Sequence, residues 1–395
     1  MRLLHTSSYT LKEFFDEPPP GQYAILSHRW RDEIKYDDLR RIPLMNHAAS
    51  ASKDKLVGAC EQARQDHLQW LWADTVCIDK SSSQELSAAL NSMFKYYQNA
   101  TCCYTFLDDV VKSSGIGKST LNAGEASEWF SRGWTLQELL ASRHMKVYDR
   151  EWKLIGTKAE LASQLSQITK IGIDYLTGRA QLEQASIACK LSWMAGRRTG
   201  KVEDIAYSLI GIFRVFMTPQ YGEGTNAFIR LQEAILKSPS GFDETLFAWT
   251  APQDGRLLCY SGQSWTPPND RWGLLAPSPD CFKDSGDLIR NFKPRPGGGF
   301  QLTHQGVIFE LPYMDTRSKW GYDFKDISLA LKCSRGGLQI VLELWRASKD
   351  DVAWERMQCS SLGKPAKEKK GSLLVNDKAN QIMARQITVS QPRQP

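Results

Sequence analysis

Residues 70–107 read WLWADTVCIDKSSSQELSAALNSMFKYYQNATCCYTFL. Leu68 to Ile78 is apolar and aromatic-rich, with Trp70, Trp72, Val76 and Ile78, and predicts a buried strand. Ser82 and Glu85 then form an S-x-x-E capping box. Leu86, Leu90, Met93, Phe94 and Tyr97 follow as the continuous apolar stripe of a helix. Thr101 to Leu107 is β-branched and aromatic and predicts another strand. Two strands separated by a helix of this length cannot form a hairpin. They need a crossover, and the crossover makes them parallel.

The same alternation extends both ways. Upstream, Tyr23 to Ser27 (YAILS) is a short apolar run after the breaker Pro18-Pro19-Pro20-Gly21 and predicts a strand. Lys53 to Leu68 carries Leu56, Cys60, Ala63 and His67 at helical spacing, with Ser52 as its N-cap. Downstream, Asp108 to Glu128 is a polar loop, Trp129 to Ala141 is helical and Met145 to Tyr148 is a fourth strand. The fold class is therefore α/β, a doubly wound, mainly parallel sheet covered on both faces, over residues 1–155. Ligands of such sheets bind beyond the carboxyl ends of the strands.

Residues 156–245 read as a helical extension, with apolar stripes around Leu161, Ile187, Ile205 and Phe228. Residues 246–362 form a further domain, in which helical periodicity disappears from Leu257 on. Short runs such as Gly306–Leu311, Ile327–Lys332 and Leu338–Trp345 lie between Gly- and Pro-rich turns and predict an antiparallel β domain. Residues 363–395 hold seven basic and two acidic residues, +5 of the chain's net +6. They read as a disordered basic tail, so the charge is no argument for a nucleic-acid-binding body. The nine cysteines contain no C-x-x-C pair, and the six histidines no H-x3-5-H or H-E-x-x-H pattern. Neither a zinc site nor a disulfide framework is expected. The start of the chain lacks an apolar signal core, and no run reaches the length of a membrane span. The expectation is a soluble cytoplasmic protein with free, mostly buried thiols.

Gly117-Lys118-Ser119 imitates the end of a phosphate-binding loop. Lys112 stands where that motif needs glycine, and no amphipathic helix start follows Thr120. A surface loop is the expectation. The residues at the strand ends are better candidates. Ser27, His28, Arg29 and Trp30 follow the first strand, Asp74 and Asp79 lie on and just after the second, and Arg132, Trp134 and Glu138 open the last helix. Trp134 and Glu138 are four apart and share a helix face. Aromatic rings, arginines and a carboxylate together suit a ligand with a flat base, phosphates and a sugar. Each also has a structural role open to it: Trp134 in the core, Glu138 in a salt bridge, His28 as a loop residue and Asp79 as a helix cap.

YAILSHRW (23–30), the block 70–110 and SRGWTLQELLAS (131–142) resemble the signature blocks of the fungal heterokaryon incompatibility (HET) domain. KVEDIAYSLIGIF (201–213) and YGEGTNAFIRLQEAI (221–235) resemble segments that follow it. Arg29 stands where the family usually has threonine, and Ala73 where it has a larger aliphatic. The resemblance implies non-self recognition and programmed cell death. More distantly, YAILSHRW and WFSRGWTLQEL are similar to motifs of Toll/interleukin-1 receptor (TIR) domains, whose catalytic members cleave NAD with a helix glutamate. Carried over, that residue is Glu138, expected to face solvent at the sheet's mouth. There its charge would stabilise an oxocarbenium-like ribose. Trp30 or Trp134 would stack on a base, and Arg29 and Arg132 would pair with the pyrophosphate. Ser27, His28, Asp74 and Asp79 would complete or support the pocket. NAD is then a substrate, and no cofactor or metal is implied. The alternative is a non-catalytic module that associates with itself or with another incompatibility protein.

Overall fold

In the computed structural model the described residues are 1–14, 22–111, 126–238, 243–251 and 273–290, with the further segments 257–258, 264–265, 301–303, 306–311, 326–345, 353–356 and 385–389. Gly117-Lys118-Ser119 lies outside them. The chain divides into two compact units. The first is 1–184 with 197–220, and the second is 185–196 with 221–395.

The first unit is built on a seven-stranded sheet of β1 (Arg2–His5), β2 (Leu11–Glu13), β3 (Tyr23–His28), β4 (Trp70–Trp72), β5 (Cys102–Phe106), β6 (Met145–Tyr148) and β7 (Leu154–Thr157). Their order is β2-β1-β4-β3-β5-β6-β7. The inner four, β4, β3, β5 and β6, are parallel. The flanking β1, β2 and β7 are antiparallel, so the sheet is mixed. Every residue of β3 is buried, as expected for a parallel strand covered on both faces.

Helices α1 (Tyr36–Arg41) and α2 (Ala51–Gln65) lie between β3 and β4. Helices α3 (Asp74–Cys77) and α4 (Ser83–Asn99) lie between β4 and β5, and α5 (Trp134–Ala141) between β5 and β6. The step from β3 to β4 runs one way across the sheet. The later steps run the other way, so winding reverses between β3 and β5. Right-handed crossovers then put α2 on one face and α4 with α5 on the other. Side chains agree. Trp72 packs on Tyr96 and Tyr97 of α4, with ring centroids 5.6 and 5.9 Å apart. Tyr104 donates to Asp66 at the end of α2 over 2.7 Å.

Several boundaries differ from the sequence expectation. β4 is only three residues long, because the chain turns into α3, where Cys77 N–H reaches the Ala73 carbonyl at 2.8 Å. Val76 and Ile78 are buried all the same, so the apolar run serves a helical turn as well as a strand. α2 is capped by Ser50 instead of Ser52 and ends at Gln65, before His67 at φ 59°. Ser82 caps α4 through the Glu85 amide. The Glu85 carboxylate turns away from the reciprocal bond, to Arg2 (2.8 Å) and to the Asp79 amide (2.8 Å). The expected helix from Trp129 splits into a 3-10 turn, Glu128–Ser131, followed by α5. The β1–β2 hairpin has only short apolar runs and gives no strand signal in the sequence, although Leu3 and Leu4 are fully buried. Residues 201–220 close on α4, where Asn91 exchanges two hydrogen bonds with the Met217 backbone, at 2.9 and 3.2 Å.

The second unit contains helix Asn226–Lys237 and another seven-stranded sheet. Gln232 exchanges hydrogen bonds with the Ala276 backbone at 2.8 and 2.9 Å. The predicted runs at 306–311, 327–332 and 338–345 are strands. This sheet is antiparallel except where Ala353–Arg356 runs parallel to Arg385–Val389. That last strand lies inside the stretch read as a disordered tail. Ile387 and Val389 pair with Phe309 and Val307, which the tail's Lys- and Gln-rich composition conceals.

Gly58 of α2 decides how close the indole of Trp152 comes to this helix. A Cβ there would lie 2.1 Å from Trp152 Nε1. The ring is held by Phe106 and Tyr148, at centroid distances of 4.8 and 5.3 Å. Gly58→Ala gains about 1 kcal/mol of helix propensity. It loses about 1–3 kcal/mol to overpacking. The expected outcome is a lower midpoint in denaturant unfolding, and a raised midpoint would refute this packing.

Candidate functional site

The strand ends at the reversal between β3 and β5 are where a wound sheet offers a site. Successive residues of a strand face opposite sides, and this separates the candidates. Ser27 faces α5. Its hydroxyl makes a short hydrogen bond to Glu138 Oε2 and accepts one from Trp129 Nε1 at 3.0 Å. Tyr97 of α4 donates to the Leu26 carbonyl at 3.2 Å.

Glu138 does not face solvent. It is 7% exposed. Burial pushes its pKa up to about 8, and the Asp74 charge adds to the rise against the opposing effect of Ser27, Tyr97 and Arg132. The cause of the correction is the helix itself. Seven of the eight α5 residues are buried, so four-residue spacing from Trp134 does not select a solvent face.

His28 faces the other way. It is buried and neutral, its pKa held well below the usual imidazole value by burial, then by Lys55 and Lys80. Its Nε2 lies 3.8 Å from Glu33 Oε2. Ser27 and His28 therefore cannot line one pocket on the same side of the sheet. Arg29 is also buried, and its guanidinium pairs with Asp108 (3.0 Å), Asp109 (3.7 Å) and Glu128. A cation held by three carboxylates is committed to the chain's own loop and is not presented to a pyrophosphate.

Trp30 is 39% exposed, and its indole donates to Asp74 Oδ1 at 3.2 Å. Lys80 Nζ sits 3.3 Å from the centroid of that ring and 3.7 Å from Asp74. Burial raises the Asp74 pKa against the pull of Lys80. Asp79 is a turn residue. Its Oδ1 accepts from the Ser81 amide (2.9 Å) and hydroxyl (2.6 Å), which lower its pKa. Arg132 and Trp134 are half-buried at the start of α5. The structure thus brings Ser27 to Glu138 and Trp30 to Asp74, and sets His28 and Arg29 apart from both.

Residues 23–123 match the family model described as heterokaryon incompatibility protein (HET). The chain carries a HET domain. It is also similar to the vegetative incompatibility protein HET-E-1 of Podospora anserina, with 40% identity over 229 residues. That alignment covers 55% of this chain and 16% of HET-E-1, so the chain spans a small part of that relative. No solved structure matches the chain significantly.

In the HET domain and the segments packed on it, residues that sequence reasoning passed over hold Glu138 in place. Arg197 donates to the Arg132 carbonyl (3.0 Å) and to Thr135 Oγ1 (3.1 Å) at the start of α5. Lys158 donates to the carbonyls of Leu139 (3.0 Å) and Ser142 at its end, its pKa pushed down to about 8 by burial. A helix leaves such carbonyls without partners, and a cation there also suits the dipole. Neither residue belongs to a motif that would have flagged it. A cavity of about 340 Å³ lies in the loop after β3, lined by Asp32, Glu33, Asp38, Arg41 and His47 among others. None of the sequence candidates lines it. Among the described residues no cluster of three metal-ligating side chains occurs.

Beneath that loop Lys55 and Glu33 form a buried ion pair at 2.5 Å, with side chains 5% and 3% exposed. Glu33 also accepts from Ser52 Oγ (3.1 Å) and the Arg31 amide (2.9 Å). Removing one partner strands a buried charge at a cost of about 3–5 kcal/mol, whereas an apolar pair need cost little. Lys55→Met is expected to lower the unfolding free energy by that order, and the double variant with Glu33→Gln to recover most of it. Equal losses in both variants would show that the pair is not the source.

Proposed function

We propose that this chain serves an incompatibility response, with the HET domain as its effector module. The observation that carries this reading is the 40% identity to a protein named for vegetative incompatibility, over a span longer than the HET match itself. The geometry favours a module at rest. Glu138, beside the winding reversal, is covered and hydrogen-bonded to Ser27, and burial raises its pKa to about 8.

A second reading is that the module is TIR-like and hydrolyses NAD at the nicotinamide–ribose bond through Glu138. What supports it is the order of the four parallel strands, with the second strand outside the first, and the place of Glu138 beside the first. It requires Glu138 to be uncovered and ionised, because a neutral acid cannot balance the positive charge growing on the ribose. Arg29 is not part of that chemistry. Trp30 is partly exposed and would stack on a base, with Asp74 and Lys80 orienting it. In the non-catalytic alternative the same domain acts by self-association or by docking on another incompatibility protein.

Inducible expression of the chain in a filamentous fungus tests both levels. Growth arrest is expected, and undisturbed growth would remove the incompatibility reading. Total cellular NAD measured beside it separates the mechanisms. A fall in NAD that disappears with Glu138→Gln establishes hydrolysis, whereas arrest that persists with Glu138→Gln at constant NAD establishes assembly.

A further inference from the structure

Beyond the carboxyl end of β3 the chain runs through α1 and a 3-10 turn before α2 begins, and this stretch bounds the cavity of about 340 Å³. That volume lies at the small end of ligand pockets, which span about 300–1,000 Å³. Most polar side chains that line it are engaged by the protein itself. Glu33 is buried and holds Lys55, Ser52 Oγ and the Arg31 amide. Asp38 accepts from the Lys35 amide at 3.0 Å, His47 Nε2 donates to the Ile42 carbonyl at 3.0 Å, and Ser50 Oγ accepts from the Lys53 amide at 3.2 Å. Lys53 Nζ ties the loop further, through the Met45 and His47 carbonyls, both at 2.8 Å. The wall is braced by its own hydrogen bonds, so a ligand need not order it.

Two charged side chains of the lining remain. Among the described residues neither the Asp32 carboxylate nor the Arg41 guanidinium has a hydrogen-bond or ion-pair partner. They carry opposite charges on one cavity and do not pair with each other. Ile34 and Ile42 give the lining its apolar part. The chemistry that uses both charges is narrow. A phosphate would pair with Arg41 but face Asp32, Glu33 and Asp38. A metal ion would need several ligating side chains, and no cluster of three occurs among the described residues. A simple amine would suit Asp32 and leave Arg41 without a partner. A molecule with one ammonium and one carboxylate group suits both, because the ammonium donates to Asp32 and the carboxylate accepts from the guanidinium fork. The two isoleucines suit a short aliphatic side chain.

We propose that the stretch between β3 and α2 holds a binding site for a small aliphatic α-amino acid, with Asp32 taking its ammonium group and Arg41 its carboxylate. The site does not rest on the incompatibility reading, and neither Glu138 nor Trp30 lines it.

Titration of L-leucine into the full chain, followed by calorimetry and ligand-observed NMR, is the direct test. Isocaproate keeps the leucine side chain and carboxylate without the ammonium, and isoamylamine keeps the side chain and ammonium without the carboxylate. Leucine is expected to bind at one site per chain. Each analogue is expected to bind about tenfold more weakly or worse, since each lacks one charge-assisted contact. Arg41→Gln is expected to weaken leucine by about the same factor and leave isoamylamine unchanged, and Asp32→Asn to weaken leucine likewise and leave isocaproate unchanged. Both side chains are exposed, so both variants are expected to keep the wild-type unfolding midpoint. No binding of leucine at about 10 mM, equal affinity for leucine and both analogues, or leucine binding untouched by both substitutions would overturn the proposal. The analogue series on wild type decides the matter if a variant does not fold.

Discussion

A carboxyl group buried against a parallel strand must either find a cation or keep its proton, because an isolated charge in a low-dielectric interior is too costly to hold. Glu138 accepts a hydrogen bond from Ser27 on β3, and burial raises its pKa to about 8. That bond joins the helix to the central strand, and Tyr97 of the neighbouring helix donates to the Leu26 carbonyl of the same strand, so that these two bonds tie the three elements together. The placement of α5 depends on them, and α5 in turn covers the face of β3 that carries Ser27. The helix is then held at both ends, by Arg197 at the first turn and Lys158 at the last. The cation at each end donates to backbone carbonyls, of Arg132 at one end and of Leu139 and Ser142 at the other.

The alternation of a strand explains why adjacent residues in one motif have separate roles. Ser27 belongs to the α4 and α5 side, while His28 belongs to the α2 side with Glu33 and Lys55. Arg29 leaves the sheet and closes on the carboxylates of Asp108, Asp109 and Glu128. Trp30 reaches the next strand end, where Asp74 accepts its N–H and Lys80 covers its ring. Four consecutive residues thus anchor four different parts of the unit. This clustering of structural duties is sufficient to account for the motif without a bound ligand, and it leaves Trp30 as its exposed member.

Much of the α/β body is legible in the chain. The strands at 23–28, 102–106 and 145–148 and the helix at 83–99 appear where apolar periodicity places them, because each buries a face whose period its backbone dictates. The short second strand is less legible, since a helical turn at Asp74–Cys77 buries Val76 as well as a strand would. The β1–β2 hairpin and the strand at 385–389 carry weak local signals. They exist because a neighbouring strand offers unpaired backbone groups, a partner the local sequence does not reveal.

For the candidate site the division is sharper. Sequence alone determined that Ser27, Asp74 and Glu138 lie near the strand ends, and that the blocks around Ser27 and Asp74 match those of a HET domain. Only tertiary structure decided which side of the sheet each residue faces, and that Trp129, Tyr97, Lys158 and Arg197 surround Glu138. Those four come from segments 9 to 59 positions away from Glu138 along the chain. Burial and hydrogen-bond direction are properties of atoms brought together in space, so the charge state of a carboxyl is set by the packed fold and cannot be read from its neighbours in sequence.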